Sequence, residues 1–290
     1  MTEAHKRDSW PQDRNHNTDP ISRVMGRMRL GSLLASMGIG GGDVGRCAKL
    51  VVTGRVTVNG QVVESLAALL NPERDRVMVD GQSLAVDQNW CRYVIVYKPY
   101  RVMSCFTDPE GRATLADYVK LPDVYTAGRL DYDSEGLLLL SDDGWLLHRI
   151  THPDYEHPKT YLAQVEHVPD EMALAALRAG IMVEGQRTRP AQVELLPDEP
   201  IVPPRSIPIR YRASIPTAWL RLVLYEGRKR QIRHMTAAVG HPTLRLIRVG
   251  IGPIALGDLQ PGQSRELTSA ELRALANMVA RRRPKPSSPR

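Results

Sequence analysis

An α+β fold is predicted for this 290-residue chain, and three observations predict it. Two short stretches with helical spacing run into a hairpin-like repeat near the N-terminus. Farther on, alternating or wholly apolar runs at Tyr93-Val-Ile-Val-Tyr97, Lys159-Thr-Tyr-Leu-Ala-Gln-Val165 and Trp219-Leu-Arg-Leu-Val-Leu-Tyr225 read as strands. Between them, residues 170–180 read as an amphipathic helix ended by Gly180. The expected architecture is a mixed, mostly antiparallel sheet with flanking helices, preceded by a small α/β unit.

Taken in order, residues 1–27 are polar, interrupted by Pro11 and Pro20 and without periodicity, so a disordered leader is expected. Leu30, Leu33, Leu34 and Met37 keep helical spacing up to Gly38, and Cys47, Ala48, Leu50 and Val51 do so up to Gly54. Residues 55–63 alternate around Asn59-Gly60, a strong hairpin signal, and Asp80-Gly81 marks a second strand pair. Residues 28–87 therefore form the small unit. Its basic face is Arg46, Lys49 and Arg55, in a stretch, 29–87, that holds six basic and six acidic residues in all. A linker is expected over 82–91, and a larger domain over 92–280.

In the larger domain, the strand at 93–97 runs into Lys98-Pro99. Leu137 to Leu140 is too apolar and too short to be anything but a buried strand or helix segment. It is entered through a charged turn, Gly128-Arg129-Leu130-Asp131-Tyr132-Asp133-Ser134-Glu135-Gly136. Asp131 stands where that loop meets a rigid scaffold, a usual place for a catalytic group, although turn chemistry alone would also account for it. Residues 197–217 are proline-rich and irregular. After the strand at 219–225, Glu226-Gly-Arg-Lys-Arg-Gln-Ile-Arg-His-Met235 carries dense positive charge, with Arg228, Lys229 and Arg230 as candidate RNA contacts on a loop opening a helix.

Composition narrows the class. The chain is 42% hydrophobic and 24% charged with a single Phe, which fits one substantial domain and a small one. No apolar stretch reaches the roughly 18 residues needed to span a bilayer, and the N-terminus lacks the apolar core of a secretion signal. No membrane association and a cytoplasmic location are expected. Cys47, Cys91 and Cys105 have no metal-ligand spacing and leave an odd count, so neither a zinc site nor a disulfide framework is indicated. The net charge is +7, concentrated in residues 281–290, where Arg281, Arg282, Arg283, Lys285 and Arg290 have no acid among them. That Pro/Ser-rich end reads as a disordered tail, either solubilising or attracting a polyanion.

The motifs together resemble a known family. Gly128-Arg129-Leu130-Asp131, Ser134-Glu135-Gly136-Leu137-Leu138 and Asp142-Asp143-Gly144 resemble the central motif of the pseudouridine synthases, nearest the RsuA/RluB/RluE/RluF group that acts on ribosomal RNA. Lys98-Pro99-Tyr100, Phe106-Thr107-Asp108 and Gly111-Arg112-x-Thr114-Leu115 resemble its first motif, and Gln231-Ile232-Arg233 its third. Gly54-Arg55-Val56-x-Val58-Asn59-Gly60 is similar to the small RNA-binding domain named after ribosomal protein S-four, although the usual Ser-Arg-Arg is absent. That unit is left with RNA contact or a fold-capping role.

The resemblance implies that Asp131 is the catalytic carboxylate, that Tyr161 packs on the uracil, and that Arg233 pairs with Asp131. It further implies that Lys98 braces the active-site loop beside the substrate and that Leu246 walls the pocket. Arg129 is expected to wedge into the RNA or touch a phosphate. Isomerising uridine needs no cofactor and no metal, only a carboxylate to attack the ribose or remove one of its protons. Burial would favour the neutral acid, so a fixed guanidinium is needed to keep the carboxylate ionised. The expected partner is ribosomal RNA, as free RNA or a pre-ribosomal particle, acted on by a monomer. The RluE-like stretches at 207–210, 214–220 and 242–248 favour large-subunit (23S) rRNA over small-subunit rRNA. A non-catalytic RNA-binding or ribosome-assembly protein is the rival reading, which would need none of the Asp131, Tyr161 and Arg233 constellation.

Overall fold

The computed structural model describes residues 28–70, 75–84, 91–209 and 214–281. The expected leader, Arg282 onward in the expected tail, and most of the expected linker lie outside these residues.

Residues 30–84 build a core of their own. Helices Leu30–Ser36 and Val44–Val52 form where the apolar spacing predicts them, the second capped by Asp43, whose carboxylate accepts from the Arg46 amide at 2.9 Å. Leu30, Leu33, Leu34, Cys47 and Val51 pack on Val56, Val77 and Val79. The strands pair in the order 61–62, 56–58, 77–79, 82–83, all antiparallel. Asn59 and Asp80 take positive φ in the two turns, as short hairpin turns require. Residues 82 and 83, the start of the expected linker, are thus part of this sheet.

The larger domain is one twisted sheet. The strands along its main path are β1 (Tyr93–Lys98), β2 (Glu135–Ser141), β3 (Lys159–Glu166), β4 (Gln192–Leu195), β5 (Thr217–Leu224), β6 (Thr243–Ile251) and β7 (Ser264–Glu266), and the short strands Tyr125–Thr126 and Ile254–Ala255 pair with β2 and β6 off that path. Those on the path lie in the order β4-β5-β3-β6-β2-β1-β7, and every neighbouring pair is antiparallel except β6 with β2. Helices α1 (Gly144–Thr151), α2 (Glu171–Ala179), α3 (Gln231–Ala238) and α4 (Ser269–Arg281) flank it. Arg281, expected as the first residue of the tail, is therefore the last residue of α4.

Alternation along the strands divides the side chains between two faces. Ile95, Tyr97, Leu137, Leu139 and Ile247 lie on one face and are sealed by Leu146 and Ile150 of α1 and by Leu275, Ala276 and Val279 of α4. On the other face there are two separate clusters. Val94, Val96, Leu138 and Leu140 pack on Leu115, Val119, Val124 and Leu130 from the 99–130 segment. Ala163, Leu220, Leu222 and Leu246 pack on Leu174 and Leu177 of α2 and on Ile232 and Met235 of α3. Tyr161 touches both clusters and so marks the seam between them.

Among the described residues, no helix is long and apolar enough to cross a membrane, and no cluster of three or more His, Cys, Asp or Glu could hold a metal.

Candidate active site

The seam holds the charged turn that leads into β2. Leu130 anchors its first end: the buried Ser104 hydroxyl donates to the Leu130 carbonyl (2.7 Å) and accepts from the Leu130 amide (3.0 Å). The far end is anchored by Glu135, buried and gripped bidentately by Arg245 at 2.9 and 2.8 Å. Within the turn, the Ser134 amide donates to the Asp131 carbonyl (3.0 Å) and the Arg101 amide to the Tyr132 carbonyl (2.9 Å). A short segment held at this many points has little freedom left, which suits a group that must meet a reacting atom.

Asp131 sits half-buried in this held turn. Among the described residues no hydrogen bond or ion pair reaches its carboxylate. Its charge is nevertheless felt at Lys98, Arg230 and Arg233, where it favours the protonated forms.

The expected pairing of Arg233 with Asp131 is not what the structure contains. Arg230, the left-handed residue just before α3, and Arg233, in the first turn of α3, both meet Asp133. Arg230 holds the Asp133 carboxylate bidentately at 2.8 and 2.8 Å. Arg233 Nη2 donates to the Asp133 carbonyl at 2.7 Å, its Nη1 to the Thr243 carbonyl at 3.1 Å, and its Nε lies 3.3 Å from an Asp133 carboxylate oxygen. The cause is local: Asp133 presents both a carboxylate and a carbonyl to α3 and takes up the donors. Burial raises the Asp133 pKa, but the Arg230 hydrogen bond and the fields of Arg233 and Arg230 outweigh it and leave the group below its ordinary value. Arg233 acts on Asp131 through its field and not through a bond.

Lys98 also differs from expectation as a substrate contact. It has no exposed surface, and its ammonium donates to the carbonyls of Pro99 (2.8 Å) and Val102 (2.7 Å). Burial lowers its pKa to about 7 against the opposing fields of Glu135, Asp133 and Asp131. Lys98 is a clamp on the 99–102 turn, which keeps the bracing part of the expectation and removes the substrate part.

The register brings the rest together. Tyr161 of β3 pairs with Arg248 of β6, Arg248 with Gly136 of β2, and Gly136 with Lys98 of β1. Gly136 has φ +104°, and a Cβ there would lie 2.3 Å from the Arg248 carbonyl oxygen, so only glycine lets β6 approach β2 at this point. Arg248 is 2% exposed; its Nε donates to the Leu137 carbonyl at 2.7 Å and its Nη2 has no partner. Leu246, two residues back, lies in the cluster that contacts Tyr161.

The remaining predicted contacts divide into two groups. Arg228 is engaged, 3.3 Å from Glu226 and donating to the Arg187 carbonyl at 2.8 Å. Arg129 and Lys229 are exposed and no ion pair reaches either of them among the described residues. In the N-terminal unit, Arg46, Lys49 and Arg55 line one groove of about 660 Å³. Arg55 is already neutralised there by Asp80, at 2.6 Å for both bonds, leaving Arg46 and Lys49 as its cations with no ion pair among the described residues.

Sequence reasoning missed Asp133, Glu135 with Arg245, and Arg248. An Asp two residues after Asp131, facing two Arg at helical spacing, is a legible signal for the first. No short-range signal exists for Glu135 with Arg245, whose partners are 110 residues apart.

The family model for RNA pseudouridylate synthase matches residues 92–238, the stretch that carries every piece of this site except β6. This chain belongs to the pseudouridine synthase family. It is 50% identical over 182 residues to the "Ribosomal large subunit pseudouridine synthase E" of Vibrio parahaemolyticus, covering 63% of this chain and 76% of that protein. It is 38% identical over 237 residues to the "Ribosomal large subunit pseudouridine synthase B" of Bacillus subtilis, covering 80% of this chain and 91% of that one. The second match is too long to fit in residues 92–290 alone, so it reaches into the N-terminal unit. Among solved structures, a pseudouridylate synthase crystal structure superposes with a TM-score of 0.54 at 29% identity, covering 86% of this chain and 99% of the other. The α+β reading and the family are thereby established.

Proposed function

We propose that the chain isomerises one uridine of large-subunit (23S) rRNA to pseudouridine, with residues 92–280 as the catalytic domain and residues 28–87 as an accessory RNA-binding module. The carrying observation is the carboxylate of Asp131, without a hydrogen bond or ion pair among the described residues, in a turn anchored at Leu130, Asp133 and Glu135. A carboxylate that was only structural would be expected to cap or pair, as Asp133 does. Support for the substrate comes from the two relatives above, both named for the large subunit.

In this reading Asp131 attacks C1′ of the ribose or removes a ribose proton. The C1′–N1 bond breaks and the uracil turns; a C1′–C5 bond then forms as the Asp131–C1′ ester bond breaks, or as the abstracted ribose proton is returned, while the C5 proton leaves to a base or water and N1 takes up a proton. Atoms and electrons balance without a cofactor. Arg233 and Arg230 keep positive charge beside the turn. The target base must leave its stack at a cost of roughly a few kcal/mol. Stacking on the Tyr161 ring offsets roughly 1–3 kcal/mol of this, and the Tyr161 hydroxyl takes part in moving the C5 proton. Leu246 supplies the apolar wall, while Arg129 and Lys229 meet phosphates. The protein acts as a monomer in the cytoplasm.

The test offers the purified chain large-subunit and small-subunit rRNA transcripts separately and maps pseudouridine in each. One modified position, in the large-subunit RNA only, is expected. Modification of the small-subunit RNA alone would overturn the substrate, and modification of neither would overturn the reading.

A further inference from the structure

Two arginines at the rim of the seam have no carboxylate within 4 Å among the described residues, and both belong to one aromatic ring. The Arg205 guanidinium lies 4.1 Å from the centroid of the Tyr100 ring, and that of Arg101 lies 5.7 Å from it, both within cation–π range. The backbone next to Tyr100 is bonded to the turn that carries Asp131, the Arg101 amide donating to the Tyr132 carbonyl at 2.9 Å, so the ring borders the catalytic turn. Arg101 is exposed, with φ +58°, and its amide is tied to the Tyr132 carbonyl next to Asp131.

Both arginines are held in place. Lys98 clamps the turn that presents Tyr100 and Arg101. Arg205 comes from the proline-rich 197–209 stretch, which is fastened where Arg245 donates to the Pro203 carbonyl at 2.8 Å while holding Glu135 with its other donors. The loop that carries Arg205 and the turn that carries Asp131 therefore share one anchor. Stacking uses the flat face of a guanidinium and leaves its edge donors outward. Arg205 spends Nε on the Ile207 carbonyl, and Nη1 and Nη2 make no bond among the described residues.

Gathering two cations around one ring without an acid costs repulsion, which an arriving anion would relieve. The nearby Arg112, Arg228 and Arg230 each have a carboxylate, so this pair stands out against its surroundings. A guanidinium edge matches a phosphodiester with two donors. We propose that Arg101 and Arg205, arranged around Tyr100, grip a backbone phosphate of the RNA next to the flipped uridine and so help place that uridine over Asp131. This rests on the pseudouridine synthase reading above.

The test uses the full chain with the large-subunit rRNA transcript and compares wild type, Arg205→Ala, Arg101→Asn and the double variant. Asn is chosen at 101 because it tolerates positive φ, and unchanged thermal melting checks the fold. Each single variant should raise Kd and KM roughly 5- to 10-fold with kcat unchanged, and lower the slope of log K against log salt by roughly 0.7–0.9 per lost contact. Arg205→Lys should keep the salt slope. Wild-type KM and slope in both single variants would overturn the proposal, and so would weaker binding with an unaltered slope, since that would remove a contact other than phosphate. If wild type failed to modify the RNA, the functional reading would fall, while the salt slopes of binding would still decide the clamp.

Discussion

The two faces of the main sheet are made of the same strands and differ in how they are covered. One face is closed by α1 and α4 into a continuous apolar core. The other is covered in two pieces, and the break between them is filled by Asp131, Asp133, Lys98, Arg230, Arg233 and Arg248. A continuous core gives stability but no place for charge, because an unpaired ion there would cost several kcal/mol. A split core provides charged groups with mutual partners and an edge on solvent. The charged turn and its partners are on the interrupted face, and the closed apolar core backs them.

The sharpest break of this contrast is chemical. Asp131→Asn should lower kcat by roughly 10²–10⁴-fold, the range for loss of a positioned acid–base group, with melting temperature and RNA affinity close to wild type. Full turnover by that variant would move the chemistry elsewhere, and Asp133 would be the first candidate.

Arg245→Met should cost about 3–5 kcal/mol in denaturant unfolding, because it strands the buried Glu135 carboxylate. A double Glu135→Met, Arg245→Met variant should recover most of that loss. A single variant with wild-type stability would show that the pair is not the anchor described. Leu139→Ala, on the closed face, is expected to lose about 2–5 kcal/mol with kcat per folded molecule unchanged; a kcat loss at full folding would mean that the faces are coupled.

Asp133→Asn should destabilise by about 1–3 kcal/mol, the cost of losing a hydrogen bond to a charged group, and reduce kcat much less than Asp131→Asn. Equal kcat losses for the two variants would show that they act as one unit.

The smallest effect is in pH dependence. Burial takes the Lys98 pKa from 10.5 to about 7 in the folded state. Between those values the unfolded chain holds a proton that the folded chain has released, so this residue makes stability rise with pH across that window. Below about pH 7 both states are protonated and the contribution is at its least favourable. Lys98→Met should flatten the rise between pH 7 and 10 in thermal melts, and an unchanged slope would show that Lys98 titrates normally. The same variant should raise KM, since the clamp on Tyr100 and Arg101 is lost.

Much of the architecture followed from short-range pattern. The helices at 30–36 and 44–52 and the strand at 93–98 declare themselves through period and turn residues, because those depend on neighbours in sequence. Asp131 and Tyr161 were singled out for a related reason: a charged turn before four leucines, and a ring opening a strand, are local signals that the family resemblance made specific. The helix at 269–281 was not singled out, and the 137–140 run was compatible with strand or helix until β1 and β6 flanked it.

What the sequence by itself determined was the set of chemical groups and the elements that carry them. What only tertiary structure decided was which charge meets which. The family resemblance implied that Arg233 pairs with Asp131 and that Lys98 braces the loop beside the substrate. Folding gave Arg233 to Asp133 and closed Lys98 over two backbone carbonyls. It also laid Arg205 against a ring 105 residues earlier in the chain. Ion pairs depend on separations of a few ångström between distant segments, and Coulomb energy changes steeply over that range. No local pattern encodes such separations, whereas the twist and register of the sheet fix them.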